Sequence, residues 1–264
     1  MIVDFHAHVY PEKVAAKILP AAKKKLKVAV PGTGAPKDLL SHMERSGIDR
    51  SVILPLAKGR EDVSSLNQWA QSVCKDGLIA FGAVHPFMDN LEEELDGLAA
   101  LGVKGVKMMP LLQEVFPDDP KCSRLYEALI ERRMILVTHA GRDPLDRKEI
   151  FGTPERFART IESYPDLKLV LAHLGGLRMY DDVRRYLLTA SKKVYFDTAY
   201  VSFYLNEDEM ASLVEDIGSD RVLFGSDYPW EEPGRAMEII KGLDLSDRDK
   251  ESILSKTAVG LLGL

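Results

Sequence analysis

The sequence predicts an α/β protein that forms a single-domain (β/α)8 TIM barrel over residues 1–264. Short, nearly continuous apolar runs alternate with segments of helical periodicity, which is typical of a parallel sheet covered by helices on its outer face. A chain of 264 residues also suits a barrel, which needs about 250 residues and has no free sheet edge. The alternative is an open, doubly wound sheet of eight strands. The predicted strands are residues 2–7, 50–55, 78–84, 103–109, 134–138, 168–172, 194–198 and 221–226.

Helices are predicted between these strands from the spacing of apolar residues and from signals at the helix ends. In residues 210–217, apolar side chains recur at i, i+3, i+4 and i+7, the period of a helix with one buried face. Thr153 and Asn206 are predicted N-caps, since each is followed by acidic residues in the first turn. Gly47 and Gly218 follow predicted helices and favour their ends.

Residues 10–36 depart from this pattern. The segment is longer than an ordinary connection between a strand and a helix, and it is rich in Lys, Ala, Pro and Gly. We expect an irregular segment here that forms a flap over the site.

Composition and charge narrow the classes of partner. The chain is 45% hydrophobic and 29% charged, and its net charge of -6 comes from interspersed acidic and basic residues. Such a surface offers no footprint for nucleic acid or for an anionic membrane. No apolar run approaches the ~20 residues needed to cross a bilayer. We therefore expect a small-molecule substrate, and a homodimer remains open.

The cysteines and the N-terminal residues favour a cytoplasmic protein. Cys74 and Cys122 lack the spacing of a metal site or a disulfide framework. Residues 1–6 lead directly into the first predicted strand, with none of the features of a signal peptide.

A pair of histidines lies on the first predicted strand. His6 and His8 are two residues apart, so the period of a strand directs both side chains to the same face, which in a barrel is the interior. Two neighbouring imidazoles form a natural chelate for a metal ion. A hydrogen-bonded pair of core histidines is the alternative.

Three further polar residues end apolar runs in the same way. His139, His173 and Asp227 follow the fifth, sixth and eighth predicted strands. Catalytic groups of barrel enzymes converge at the carboxyl ends of the strands, so the shared position favours function over isolated structural hydrogen bonds. Imidazole and carboxylate ligands suit Zn²⁺, with Mn²⁺, Fe²⁺ and Co²⁺ as alternatives. Such an ion can lower the pKa of bound water toward ~7.

Four segments together resemble the amidohydrolase-related branch of the amidohydrolase superfamily. This branch includes aminocarboxymuconate-semialdehyde decarboxylase, resorcylate decarboxylases and pyrone-dicarboxylate lactonase. The resemblance spans the chain in order, and the combination is specific although each segment alone is weak. The segments are residues 4–8 (DFHAH), 138–141 (THAG), 171–176 (LAHLGG) and 224–229 (FGSDYP).

The resemblance implies a barrel enzyme with one divalent metal. It implies that His6, His8, His139 and Asp227 are metal ligands and that His173 is the catalytic histidine that moves protons or polarises the substrate. Asp227 has a second carboxylate oxygen, so it can also accept a proton from the attacking water.

Lys107 lies on the fourth predicted strand, on the same face as Gly105 and Met109. Some relatives in the wider superfamily carry a carboxylated lysine on this strand that bridges two metals. In the branch resembled here one metal is more usual, so we interpret Lys107 as a structural or substrate-binding residue. An exposed lysine at a strand end is the remaining alternative.

Substrate-binding residues are expected in the loops that follow the strands. An arginine there can bind a carboxylate through two hydrogen bonds, and aromatic side chains can form an apolar wall. His85 is a further polar candidate, and a packing role is the better interpretation of His42. The candidates in the loops are Arg60, Arg142, Arg178, Tyr200, Tyr228 and Trp230.

These residues favour a metal-dependent hydrolase that uses metal-activated water on a small amide, ester or lactone. A metal-dependent, non-oxidative decarboxylase of a small aromatic or unsaturated acid is the alternative, since the same residues can orient a substrate and protonate carbon. A barrel that keeps a metal only for stability or sensing fits less well, because an open coordination position is a catalytic feature.

Overall fold

The computed structural model describes residues 1–26, 30–143, 149–189 and 192–264. The chain divides into two compact units. The first unit contains Met1–Leu54, Ser72–Ala80 and Asp197–Leu264, and the second contains Pro55–Gln71 and Phe81–Phe196. The prediction of one domain over residues 1–264 stays a prediction.

Every predicted strand segment contains a strand. The segment at residues 78–84 is divided into two short strands, with Phe81 between them. The described strands are β1 (Val3–Ala7), β2 (Arg50–Ile53), β3 (Leu78–Ala80), β4 (Gly82–Ala83), β5 (Gly105–Met108), β6 (Ile135–Thr138), β7 (Lys168–Leu171), β8 (Val194–Asp197) and β9 (Val222–Leu223).

In the first unit, β1, β2 and β3 form a parallel sheet in that order. Val3 pairs with Arg50, and Ser51 pairs with Leu78. All five residues of β1 are buried, as expected of a strand covered on both faces. On its other side, the N–H of Phe5 donates to the carbonyl oxygen of Phe224 at 2.7 Å, which places the segment after β9 beside β1.

In the second unit, β4 to β8 pair in parallel and in chain order. The register is regular: Gly105 pairs with Ile135, and Ile135 pairs with Lys168. The Val, Leu, Ile and Met residues of these strands have almost no exposed surface. Parallel strands therefore end at one edge, where the loops that follow them lie side by side.

Helices separate the eight strand segments along the chain. A π-helical turn at Ser252–Lys256 joins the last two helices. None of the helices in the described ranges is long and apolar enough to span a membrane. They are α1 (Glu12–Leu26), α2 (Pro36–Ser46), α3 (Val63–Ser72), α4 (Leu91–Ala100), α5 (Pro110–Gln113), α6 (Ser123–Glu131), α7 (Pro154–Ser163), α8 (Tyr180–Tyr186), α9 (Glu207–Ile217), α10 (Pro233–Gly242), α11 (Asp247–Glu251) and α12 (Thr257–Leu262).

The predicted helix signals are confirmed. Asn206 forms a capping box with Glu209 at the start of α9, and the Thr153 side chain accepts a hydrogen bond from the N–H of Arg156 at the start of α7. Gly47 adopts a left-handed conformation with φ of 69° after α2. These local contacts satisfy backbone groups that a helix end leaves unpaired.

The prediction of an irregular segment over residues 10–36 is wrong for most of its length. Helix α1 occupies Glu12–Leu26 and contains Pro20; residues 27–29 lie outside the described residues. Ala15 and Leu19 of α1 pack with Tyr10 and Trp230 in a small apolar cluster. The many lysines of this segment made the helical pattern of α1 hard to recognise in the sequence, although the apolar face of α1 covers this cluster.

Candidate metal centre

Strand β1 brings His6 and His8 together in the first unit. Both side chains are buried, and their Nε2 atoms lie 3.1 Å apart. The rings meet edge to face, with centroids 5.0 Å apart. The predicted shared face is confirmed, since residues two apart on a strand point the same way.

The outer nitrogens of the two rings are already used. Nδ1 of His8 lies 2.7 Å from the carbonyl oxygen of Leu54, and Nδ1 of His6 lies 2.7 Å from Oδ2 of Asp197. A carbonyl oxygen only accepts, so Nδ1 of His8 carries the proton, and the Asp197 carboxylate requires the same of His6. In the neutral rings each Nε2 therefore presents a lone pair, and the two lone pairs face each other.

Backbone hydrogen bonds place Asp227 beside this pair. The N–H of Asp227 donates to the carbonyl oxygen of His6 at 2.7 Å, and the N–H of His8 donates to that of Tyr228 at 2.6 Å. Oδ1 of Asp227 consequently lies 3.2 Å from Nε2 of His8 and 3.5 Å from Nε2 of His6. Asp227 has φ of 64°, a left-handed conformation that costs energy and is found preferentially at functional sites.

Glycine at position 225 permits the close approach of this loop to β1. A Cβ atom on Gly225 would lie 2.8 Å from Cβ of His6, which is closer than real side chains approach. Any larger residue would push the loop that carries Asp227 away from His6.

Asp4, a residue of β1, holds the same loop through hydrogen bonds to Ser226. Its carboxylate accepts the Ser226 hydroxyl at 2.6 Å, the Ser226 N–H at 2.9 Å and the His6 N–H at 3.1 Å. Burial raises the pKa of Asp4 to about 7, against these hydrogen bonds, which lower it. Asp4 thus fixes the residue that precedes Asp227.

The chemistry of this cluster fits a divalent cation. Nε2 of His6, Nε2 of His8 and a carboxylate oxygen of Asp227 all lie within 4.8 Å of one another. Two ligands of one Zn²⁺ ion lie at most about 4.4 Å apart, because each bond measures ~2.0–2.2 Å. The separations of 3.1, 3.2 and 3.5 Å satisfy this limit. Converging lone pairs beside buried carboxylates repel one another unless a positive charge balances them.

The two other predicted histidines form a pair in the second unit. Nε2 of His173 lies 2.9 Å from Nδ1 of His139, and Nε2 of His139 lies 3.3 Å from the carbonyl oxygen of Arg142. His173 has φ of 60°, so it shares the left-handed conformation of Asp227. The role of His139 as a metal ligand stays a prediction, and coordination through Nε2 requires the contact with Arg142 to be given up.

The loops that carry these histidines are paired through their backbones. Gly141 and Leu177 form a parallel bridge, and a Cβ atom on Gly141 would lie 2.1 Å from the backbone nitrogen of Leu177. Arg142 and Arg178 follow directly and are both exposed. Their proposed contact with a substrate stays a prediction.

Lys107 lies in β5 with only 2% of its surface exposed. The alternative of an exposed lysine at a strand end is therefore wrong. A structural or substrate-binding role stays a prediction.

Tyr228 belongs to a network that fixes the loop after β9. Its ring is fully buried, its hydroxyl donates to Oδ2 of Asp38 at 2.7 Å, and it accepts the N–H of Gly34 at 3.2 Å. Nearby, Nδ1 of His42 lies 3.0 Å from Oε1 of Glu232, in keeping with a packing role for His42. These bonds make Tyr228 a positioning residue, and its predicted contact with substrate stays a prediction.

Two residues near the histidine pair escaped the sequence analysis. The first is Asp197, whose carboxylate accepts a hydrogen bond from Nδ1 of His6. Its position at the carboxyl end of a strand could have indicated it, as the same kind of position indicated Asp227. Tyr10 stacks near His8 with ring centroids 6.5 Å apart, and Trp230 donates a hydrogen bond to it. Trp230 is half-buried in the cluster with Tyr10, so its predicted contact with substrate stays a prediction.

A comparison with protein families gives one match over nearly the whole chain. A family model described as Amidohydrolase matches residues 3–264. The chain belongs to the amidohydrolase family. The resemblance drawn from four short segments is thereby confirmed, and the protein is an enzyme of the amidohydrolase superfamily, a metal-dependent family whose ligand chemistry the cluster of His6, His8 and Asp227 matches.

Solved structures share the fold over nearly their full lengths at low identity. An uncharacterised TIM-barrel protein from Bordetella bronchiseptica has a TM-score of 0.77 at 18% identity, covering 99% of this chain and 98% of that one. A 2,6-dihydroxybenzoate decarboxylase from Rhizobium has a TM-score of 0.73 at 17% identity, with coverage of 99% and 98%. A 5-carboxyvanillate decarboxylase from Novosphingobium aromaticivorans, complexed with manganese, has a TM-score of 0.71 at 17% identity, with coverage of 100% and 96%.

These likenesses establish the fold class. The amidohydrolase described here is a (β/α)8 barrel, as its alternation of strands and helices predicted. In such barrels the carboxyl ends of the strands carry the chemistry. His6, His8 and Asp227 lie in and after strands at such ends in the first unit, and His139 and His173 follow strands of the second.

Proposed function

We propose that this amidohydrolase is a metal-dependent hydrolase that acts on a small amide, ester or lactone. The observation that carries the proposal is the convergence of three lone-pair donors, Nε2 of His6, Nε2 of His8 and Oδ1 of Asp227. These three donors do not fill the coordination shell of a divalent ion, so positions remain for a further protein ligand, water and substrate, and an open position distinguishes a catalytic site from a closed structural one.

A bound divalent ion supplies Lewis acidity, which polarises a substrate carbonyl group and lowers the pKa of water. The backbone hydrogen bond from Asp227 to His6 holds the Asp227 side chain beside the two imidazoles, and 7% of the residue is exposed. A carboxylate there can take a proton from water that attacks the substrate and return it to the leaving group. Asp197 keeps the proton of His6 on Nδ1 and so keeps Nε2 available.

His173 is the proposed proton-transfer residue, and His139 is the proposed fourth ligand. The 2.9 Å contact between the two imidazoles is short enough for a proton to pass between them. The constrained backbone of His173 fixes the direction of its ring, which a proton-transfer group requires.

Zinc is the proposed ion, since two imidazoles and a carboxylate form a common catalytic zinc set. Manganese is the second choice, supported by the manganese complex of the 5-carboxyvanillate decarboxylase, which has the same fold.

Decarboxylation of a small aromatic acid is the second candidate reaction. It is supported by two of the solved structures with this fold, a 2,6-dihydroxybenzoate decarboxylase and a 5-carboxyvanillate decarboxylase. In that reaction the acid and base residues would deliver a proton to the carbon that loses carbon dioxide.

Isotope labelling distinguishes the two reactions. The protein loaded with zinc or manganese is offered a panel of lactones, esters and cyclic amides in ¹⁸O-labelled water, and a panel of ortho-hydroxy or ortho-amino aromatic acids in deuterated water. We expect ¹⁸O in the product carboxylate of the first panel, because hydrolysis places a water oxygen there. Release of carbon dioxide with deuterium on the ring, and no turnover of the first panel, would establish the decarboxylase instead.

A further inference from the structure

His85 occupies an unusual position in the second unit. It lies two residues after the end of β4 and is 8% exposed. Its Nδ1 accepts the N–H of Phe87 at 3.2 Å, so the proton of the neutral ring is on Nε2. Among the described residues, Nε2 of His85 has no acceptor, and it is not one of the polar atoms sealed from solvent. Nε2 of His85 is therefore a hydrogen-bond donor that is nearly buried but remains accessible to solvent.

Arg60 is fixed by the same residue that orients His85. Nη1 of Arg60 donates to the carbonyl oxygen of Phe87 at 2.9 Å, and Arg60 forms no ion pair with any residue in the described part of the chain. The backbone of Phe87 therefore binds both side chains, through its N–H and through its carbonyl group. A guanidinium with one of its five N–H groups used retains four donors.

Gln113 holds the two segments that carry these side chains. Its Nε2 donates to the carbonyl oxygen of Val84 at 2.6 Å and to that of Ala57 at 3.3 Å, while its Oε1 accepts the N–H of Met109 at 3.1 Å. Val84 directly precedes His85, and Ala57 lies three residues before Arg60. A buried amide that bonds three loops in this way makes the arrangement rigid.

The charge at this position favours an anion. Burial and the neighbouring charge of Arg60 lower the pKa of His85, and the opposing effect of Glu61 is smaller. The ring is therefore neutral at neutral pH and donates through Nε2, while Arg60 contributes the positive charge. Glu61 is exposed, and its carboxylate lies against Gly59. The pair offers donors but no acceptor, which suits a carboxylate oxygen and not an amine.

We propose that His85 and Arg60 form a subsite for a carboxylate group, so that the substrate is a small carboxylic acid derivative. The subsite follows a barrel strand at its carboxyl end, where substrates of this fold bind. This subsite rests on the proposed function in one respect, because the bound carboxylate is taken to be part of the substrate. It holds for a hydrolase and for a decarboxylase alike.

Binding of benzoate, with neutral benzamide as its matched control, tests the subsite. His85→Asn keeps an acceptor for the Phe87 N–H and removes the Nε2 donor, and Arg60→Gln changes an exposed residue. Affinities are measured by titration calorimetry on zinc-loaded protein, with Arg248→Gln as a control for loss of charge elsewhere. We expect each test variant to bind benzoate at least about 10-fold more weakly, with little change for benzamide or for Arg248→Gln.

Nitrogen NMR of the His85 ring gives a second readout. We expect the Nε2–H tautomer in the free protein and a shift of the Nε2 resonance when benzoate is added. Benzoate affinity unchanged in both variants, or benzoate that leaves the His85 resonances unmoved, would overturn the subsite. Turnover of the two substrate panels without such binding would leave the proposed function standing, and binding through His85 without turnover would reject the function and keep the subsite.

Discussion

The Nδ1 atom of His6 lies 2.7 Å from Oδ2 of Asp197, and both side chains are almost completely buried. This contact decides which nitrogen of His6 is available inside the cluster. Nδ1 of His8 is held in the same way by the Leu54 carbonyl oxygen. Partners of this kind orient a metal-binding histidine and raise its basicity.

The first prediction concerns Asp197→Asn. An amide is a weaker acceptor than a carboxylate and can rotate to present its NH₂ group, which would place a lone pair on Nδ1 of His6. We expect zinc affinity to fall about 10- to 100-fold with little change in secondary structure, measured by competition with a chelator. Asp244→Asn, at an exposed position, is the matched control. Equal zinc affinity of Asp197→Asn and wild type would remove Asp197 from the metal centre.

The second prediction separates ligands from the proton-transfer residue. His6→Ala should lose metal and activity together, because the cluster loses one of its donors. His173→Asn should keep most of the metal and lose most of its turnover, since proton transfer typically contributes 10²- to 10⁴-fold to a rate. Metal analysis and kinetics on the same preparations decide the matter. An empty site in His173→Asn would make His173 a ligand.

The third prediction concerns the loop that carries Asp227. Tyr228→Phe removes the hydroxyl that donates to Asp38 and accepts the Gly34 N–H. We expect the free energy of unfolding in urea to fall by about 1–3 kcal/mol. Tyr195→Phe is the control, because the hydroxyl of this half-buried residue makes no hydrogen bond within the described ranges. Equal losses in both variants would contradict a specific role for the Tyr228 hydroxyl.

The fourth prediction concerns Glu231, which follows the same loop. Its buried carboxyl group accepts the Ser202 hydroxyl at 2.6 Å and pairs with Arg235. Burial raises the pKa of Glu231 from 4.5 to about 7, so between these values the folded protein binds more protons than the unfolded chain. This contribution to stability is fully present below pH 4.5 and is lost as the pH rises through about 7.

Glu231→Gln removes this titration while keeping the shape of the side chain. We expect the stability of the wild type relative to the variant to fall with rising pH across this window, by at most about 1.4 kcal/mol per pH unit. Urea unfolding at several pH values measures it. Glu238→Gln, at an exposed position, should show no such trend, and a flat difference for Glu231→Gln would refute the raised pKa.

Periodicity was sufficient to predict most of the fold. The eight strand segments and the ends of α7 and α9 were predictable because parallel strands in a barrel are apolar throughout and because caps are local. Helix α1 was not, since residues 10–36 combine lysines with Pro20, and the apolar face of the helix is recognisable only against Tyr10 and Trp230.

The site was predictable where its residues follow a strand. The spacing of His6 and His8 determines that they share a face, and Asp227 ends a strand segment. Asp197 was missed because its meaning depends on His6, which is 191 residues away. The network of Tyr228 was missed for the same reason, since Asp38 lies 190 residues away. Such contacts between distant residues depend on how the strands are aligned with one another, and this alignment cannot be read from the sequence.

Metal analysis of the purified protein tests the central claim most directly. If His6, His8 and Asp227 hold a catalytic ion, the wild type should contain about one divalent metal per chain, or take up zinc or manganese to that level at micromolar concentration. His8→Ala should lose this ion. A wild type that is purified without metal and binds neither ion, or a His8→Ala variant that holds as much metal as the wild type, would contradict the assignment of the metal centre.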